Sequence, residues 1–297
     1  MDNRSDIREF LATRRAKITP EQVGLPAGGG RRRVPGLRRE EVAVLAGVSP
    51  EWYARLEKGH IGGVSDSVLD AVAQALRLDD AERDHLYDLA RAARPASRSP
   101  RRRTSPGVRP SVQRILDSMG TAPALVRNGR LDILAINPLG RALYSPAFED
   151  PARPANLARF NFLDQRSRDF YPEWNEAANT SVALLRTEAG RDPYNRELTD
   201  LVGELATRSE EFRTRWAAHN VRRHRTGTKR FHHPVVGDVE LAFDALELPG
   251  EPGLTLTAYT AEPGSPTEDA LALLASWVAT DRHVDTETVA AEEHQWN

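Results

Sequence analysis

The chain has 297 residues, 28% charged and 39% hydrophobic, with a formal net charge of -2. That balance suits a globular protein of about two domains and excludes a uniformly basic, histone-like binder, so any nucleic-acid surface must be local. The lack of cysteine excludes disulfides, thiolate zinc sites and cysteine nucleophiles; the opening MDNRSDIREF has no secretory core and no run nears the roughly 18 apolar residues of a membrane span, so a cytoplasmic location and no membrane partner are expected.

In chain order, Asp6 to Lys17 is predicted helical, with Ile7, Phe10 and Leu11 on one face and Arg14 and Arg15 near the C-terminus, where cations suit the dipole. Thr19-Pro20-Glu21 caps a short turn. Leu25 to Gly36 holds three glycines and then Arg31, Arg32 and Arg33. This basic arm either contacts phosphates or the minor groove, or is a solvated loop. Arg38 to Ala46 is predicted as a helix with Val42, Ala43 and Leu45 apolar. Gly47 ends it, since glycine takes the left-handed cap conformation without penalty. Ser49 is a good N-cap for the next helix, Pro50 suits its first position, and Glu51 suits its positive first turn. That helix runs to about Lys58, with Tyr53 and Leu56 on one face. Ser65 to Leu76 and Asp79 to Arg91 are two further helices.

The A-G-V-S turn at 46–49 and the ending Arg55-Leu56-Glu57-Lys58-Gly59 resemble the helix-turn-helix of the Cro/C1 repressor family, the XRE-like regulators. The arm and the first helix, GLPAGGGRRRVPGLRREEVA at 24–43, resemble one actinobacterial branch of it. The resemblance implies a second helix lying in the major groove. Pro50, Glu51, Ala54 and Arg55 would then face the bases, with Trp52 at the wall and Ser49 and Lys58 at the ends. Arg55 can bond guanine O6 and N7, and Glu51 can accept from cytosine N4. Arg38 and Arg39 open the first helix; Arg39 stands where the family has a glutamine, at phosphate height. Glu57 is implied to pair with a helix-1 arginine, here Arg15.

Arg94 to Pro110, RPASRSPRRRTSPGVRP, is too poor in apolar residues to fold alone and reads as a linker, its arginines either near DNA or merely solvated. Val112 to Met119 is a short helix. Ala124–Val126 and Leu131–Ile136 are strands around Arg127-Asn128-Gly129-Arg130, a hairpin signal. Asn137-Pro138 opens a helix through Leu143. Residues 156–223 read as mostly helical. Lys229–His233, Val239–Leu246 and Leu254–Tyr259 read as strands, and Pro266–Trp277 as a closing helix. The order strands, helices, antiparallel meander is PAS-like. R-N-G-R-L-D-I-L-A-I-N-P-L-G-R-A-L at 127–143, L-L-R-T-E-A-G-R-D-P at 184–193 and S-E-E-F-R-T-R-W-A-A-H-N-V at 209–221 resemble the C-terminal ligand-binding domain of MmyB-like regulators. That resemblance implies a PAS-like fold and a small, partly apolar, fatty-acid-like ligand class.

A sensor pocket needs apolar walls and a few polar groups. Phe162, Phe170, Trp174, Phe243 and Tyr259 are candidate walls or ordinary core. Arg186, Arg191 or His219 would face a ligand carboxylate, or the arginines pair with Glu188 or Asp192. His219, His224, His232 and His233 have poor spacing for one metal ion, because adjacent strand residues point to opposite faces. No nucleophile elbow, zinc-protease helix or P-loop is present, so no enzyme and no cofactor are expected. The expected architecture is α+β: a five-helix Cro/C1-type domain at 1–93, a basic linker at 94–110, a PAS-like domain with an antiparallel sheet at 111–279, and an acidic tail at 280–297. The expected function is operator-DNA binding by a homodimer under control of a small effector. The alternative is a ligand-binding or catalytic PAS-like protein whose N-terminal bundle mediates protein contacts.

Overall fold

The computed structural model describes residues 3–25, 36–93, 107–221 and 224–278. Linker residues 94–106, the Arg31–Arg33 arm and the acidic tail lie outside these residues, whereas linker residue Arg109 is the N-cap of the helix over 110–118 and pairs with Glu251. Two compact units are present: residues 1–101 with 182–223, and residues 102–181 with 224–297. This partition differs from a linear one closing at Ala93, because 182–223 packs with the N-terminal helices.

The first unit is helical: α1 Asn3–Lys17, α2 Arg39–Ala46, α3 Pro50–Glu57, α4 Asp66–Ala75 and α5 Asp80–Ala92. Ile7, Phe10, Leu11, Val42, Tyr53, Leu56, Leu69, Val72, Leu86 and Leu89 form its core. They recur at helical spacing, so each amphipathic face is spent on this cluster. Helix α1 begins three residues before the expected Asp6, because the buried Asn3 side chain donates to the Leu89 carbonyl at 3.3 Å and anchors the first turn. Asp79 caps α5 by accepting from the Glu82 amide at 2.9 Å. The unit also holds the end of α10 (Trp174–Arg191), α11 Arg196–Arg208 and α12 Glu210–Ala217.

The second unit is α+β. Helix α6 spans Pro110–Ser118, α7 Pro138–Leu143, α8 Leu157–Leu163 and α9 Arg166–Phe170, and α13 covers 266–278. Its strands are β1 Ala124–Arg127, β2 Ile133–Ile136, β3 Thr226–His233, β4 Gly237–Glu247 and β5 Thr255–Thr260. They form one antiparallel sheet in the order β2-β1-β5-β4-β3. Alternation sends Phe231, Val239, Leu241, Phe243 and Tyr259 to one face, among the α7–α9 residues and Leu271 and Leu274. Val126, Ala135 and Leu256 pack with Val112 and Leu116 of α6.

The β1–β2 hairpin forms, but its turn is not a two-residue Asn-Gly turn. Asn128 braces residues 128–132 by accepting from the Arg130 and Asp132 amides and donating to Asp132 Oδ2 at 2.8 Å, while Leu131 takes the positive φ of 68°. Asn137 joins four segments: its Oδ1 accepts from the Ala124 and Gly140 amides, and its Nδ2 donates to the Met119 and Ala122 carbonyls, all within 2.8–2.9 Å. Gly140 is required beside it, since a Cβ there would lie 2.8 Å from Ala124 O.

Candidate DNA-binding surface and aromatic cluster

Gly47 closes α2 with φ 66°, and Ser49 Oγ accepts the Trp52 amide at 3.1 Å at the head of α3. Tyr53 and Leu56 are buried, 0% and 1% exposed. The other side of α3 is open: Ser49, Pro50, Glu51, Arg55 and Lys58 are exposed and Trp52 and Ala54 half-buried. Arg38 is exposed, and its amide donates to Glu41 Oε2 at 2.6 Å, starting α2.

The posture of α3 is set by Glu57, 1% exposed at its end. Arg15 of α1 grips this carboxylate in a fork, Nε to Oε2 and Nη2 to Oε1, both at 3.0 Å. Its third nitrogen donates to Leu37 O at 2.7 Å, holding the entry to α2. Arg39 Nε adds a bond to Glu57 Oε1 at 3.0 Å. One carboxylate thus ties α1, α2 and α3 together. Burial alone would raise the Glu57 carboxyl, but the bonds and charges of Arg15 and Arg39 outweigh it and hold it below the usual range. Arg39, expected at phosphate height, is therefore partly committed to the interior, although its side chain stays half exposed.

On the other side of α1, residues from 182–223 form a second polar cluster. Arg186, 3% exposed, donates from Nη1 to Asp6 Oδ1 at 3.3 Å and from Nη2 to Trp216 O at 2.6 Å, and its guanidinium stacks 3.8 Å over the Trp216 ring. His219 Nε2 donates to Glu9 Oε2 at 2.7 Å. Arg14 pairs with Glu82 at 2.9 Å and donates to the His219 carbonyl. Burial pushes the His219 imidazole down to about 4, with Arg186 adding to it, and burial pushes His85 down to about 3. Arg191 lies 3.5 Å from Asp88.

The residues proposed for a ligand pocket are therefore not one group. Phe170, Trp174, Phe243 and Tyr259 are core residues of the second unit, with Phe162 packed against them. Arg186 and His219 belong to the helical unit, where Asp6 and Glu9 satisfy them. Arg186 meets Asp6 of α1 and Arg191 meets Asp88 of α5, acids that no local spacing reveals. Phe170 and Tyr259 join a ring cluster with Tyr144, Phe160, Tyr171 and Phe231, centroids 4.8–6.1 Å apart. Phe243 touches its edge through Tyr259 at 6.2 Å, and Phe162 pairs with Trp174. Lys229, absent from the sequence-derived set, points into this cluster, 4.6 Å from the Tyr171 centroid. The alternation of β3 was the available signal: Lys229 shares its face with Phe231 and His233. His233 is buried and satisfied by Ala142 O at 3.0 Å, while His232 is exposed beside Asp238. Among the described residues no cluster of three or more His, Cys, Asp or Glu could hold a metal ion, and no helix is long and apolar enough to cross a membrane.

Residues 8–86 match the family model of a helix-turn-helix domain. Residues 108–274, more than half of the chain, match that of the MmyB-like transcription regulator ligand-binding domain. The chain belongs to the MmyB-like transcription regulators. Comparison with curated proteins found no match. As an MmyB-like regulator it is a DNA-binding protein with a ligand-binding domain, as the two resemblances implied. The match to the ligand-binding model includes 182–223, so in this MmyB-like regulator a piece of the ligand-binding sequence is built into the same compact unit as the helix-turn-helix.

Proposed function

We propose that α3 reads an operator in the major groove, with Arg55 and Glu51 on base edges, Ser49, Pro50 and Trp52 at the groove wall, and Lys58, Arg38 and the Arg31–Arg33 arm on phosphates. The observation that carries this reading is the division of α3: Tyr53 and Leu56 are spent on the core, which leaves Glu51 and Arg55 exposed together. An arginine fork matches guanine O6 and N7, and a carboxylate matches cytosine N4. One such helix reads only a few base pairs, so a homodimer on two half-sites is proposed for usable affinity. The effector is a small molecule with an apolar body, held in the aromatic side of the second unit, with Phe170, Phe243 and Tyr259 as walls. The proposed route from effector to DNA runs through 182–223, since Arg186 and His219 hold the α1 helix on which Arg15 grips Glu57.

The test is a binding-selection assay on randomised duplexes with the full chain, followed by Arg55→Ala. The variant should weaken the selected site by about 1–3 kcal/mol and relax one base position. An unchanged sequence preference would remove Arg55 from direct readout, and no selection of any sequence by the parent chain would overturn the operator reading.

A further inference from the structure

The stretch 182–223 meets α1 and α5 through charge more than through apolar packing. Among the described residues only Val221 of this stretch joins the apolar core of α1 to α5. Leu198, Leu201, Leu205 and Phe212 are buried outside that core, so the five-helix core does not depend on them. At the joint lies His219, 3% exposed and held at a φ of 51°, a left-handed conformation that is costly for a residue with a Cβ. From α1, Glu9 Oε2 accepts its Nε2–H at 2.7 Å, Arg14 donates to its carbonyl, and Lys17 donates to Asn220 Oδ1 at 2.8 Å. From α10, Arg186 Nη2 stands 3.3 Å from the same Nε2. From α5, Glu82 pairs with Arg14, with Asp79 nearby, and buried His85 has no hydrogen-bond partner for its Nδ1 among the described residues. Because Nε2 gives its proton to Glu9, it has no lone pair for Arg186. A second proton, on Nδ1, would set a positive ring beside a guanidinium. Glu9 would gain from that charge, but its side chain is 47% exposed and screened by water, whereas that of Arg186 is 4% exposed.

We propose that His219 is a proton-operated latch: on acidification residues 209–221 let go of α1 while the core of α1 to α5 stays folded. The proposal deepens the operator reading and rests on it for one arm of the test, since α1 carries the Arg15 that grips Glu57 of α3. The latched form is the one that holds α3 for DNA. The sign follows from the charges. Burial, then Arg186, outweigh Glu9 and hold the imidazole down at about 4, and in the released segment it returns to about 6.5. The released state binds more protons, so the latch is fully closed above about pH 6.5 and loosens as pH falls toward 4. Burial would raise the Glu9 carboxyl, but its bonds to Ser5 and His219 hold it below the usual range, so it stays charged through most of this window. Burial, with Arg186, His219 and Arg14 adding to it, pushes His85 down to about 3, so where release uncovers His85 its effect has the same sign.

The experiment is hydrogen exchange of the full chain at pH 7.5, 6.5 and 5.5, read by mass spectrometry on peptides from 209–221 and from 66–75 of α4, each rate divided by the intrinsic rate at that pH. Protection of 209–221 should fall about tenfold between pH 7.5 and 5.5 for one histidine, and about a hundredfold where His85 joins it, most of it below pH 6.5. At pH 5.5 it should lie about tenfold or more below that of 66–75, since the segment opens without the core. His219→Gln, which keeps a donor for Glu9 and does not titrate, should lose about tenfold of the pH step, and the parent-chain measurement stands without the variant. Adding a duplex selected by the parent chain should raise protection of 209–221 about fivefold or more, because binding and latching are reciprocal. Protection of 209–221 that is flat in pH, or equal to that of 66–75 throughout, would overturn the latch. A pH step with no gain from the duplex would sever the latch from α3. A chain that selects no duplex would remove the operator reading, with the latch still decided by the pH series.

Discussion

Replacing Glu57 by Gln tests how the reading helix is held. The carboxylate is 1% exposed and accepts from Arg15, whose side chain is 15% exposed, and from Arg39, 53% exposed. Glutamine keeps the shape but removes the charge and turns one acceptor into a donor facing a guanidinium. Removing one member of a buried pair costs about 3–5 kcal/mol, because the partner's charge is left uncompensated. Arg39 can swing out to water, so only Arg15 is stranded, and the lower end, about 3 kcal/mol, applies. Denaturant unfolding by far-ultraviolet circular dichroism measures this, and a midpoint shift at constant slope reports a true stability change. Arg39→Ala should cost under about 1 kcal/mol by the same reasoning. The double variant Arg15→Met, Glu57→Met should recover much of the stability, because no buried charge remains. DNA affinity should not recover, since the fork that orients α3 is gone. A loss below about 1 kcal/mol for Glu57→Gln, or equal losses for it and Arg39→Ala, would refute the claim that Arg15–Glu57 sets the posture of α3.

Three other outcomes follow from buried contacts. His85 and His219 are held neutral, down at about 3 and about 4, against about 6.5 in an unfolded chain. A depressed pKa means the unfolded state binds more protons, so their stability contribution is complete above about pH 6.5 and is lost as pH falls toward 4, by about 1.4 kcal/mol per pH unit for each histidine. Denaturant midpoints at pH 7.5, 6 and 5 should fall in that order, and a flat series would refute it. Gly190→Ala would place a Cβ 2.6 Å from the His85 ring, which is buried and packed edge-on against Phe10, so about 1–3 kcal/mol should be lost despite alanine's better helix propensity; a stabilised variant would show that the α10–α5 approach is looser than described. Asn137→Ala strands four backbone groups at once and should cost about 3 kcal/mol or more in the second unit, read by thermal unfolding, whereas a loss under about 1 kcal/mol would mean water replaces the side chain.

The helix-turn-helix was legible because its signals are local: a glycine that ends α2, a serine and a proline that start α3, and an apolar period that points Tyr53 and Leu56 inward. Strands β3 to β5 were legible for the same reason, since alternation over five or more residues has one reading, while the four-residue β1 and β2 showed as short apolar runs flanking Asn128-Gly129. Asn137 was recognisable as an N-cap, but its two bonds to the chain before β1 were not, because they depend on where Met119 and Ala122 end up. Asn-Gly predicted a hairpin correctly and its turn wrongly: Asn128 found a better partner in Asp132 than a tight turn provides.

Arg186 and His219 show why the ligand site was less legible than the reading helix. Both were candidates to face a ligand carboxylate, with Glu188 or Asp192 as the alternative partners for Arg186. Their partners, Asp6 and Glu9, stand three residues apart on the polar side of α1, 180 and 210 residues away. From the sequence that side of α1 reads as solvent-facing, since its residues are charged. An amphipathic pattern fixes only which face is apolar; it does not say that the polar face meets water. When α10 delivers an arginine and the turn after α12 a histidine to two carboxylates, part of the polar face is covered, although Glu9 stays 47% exposed. The cations Arg186 and His219 then become structural.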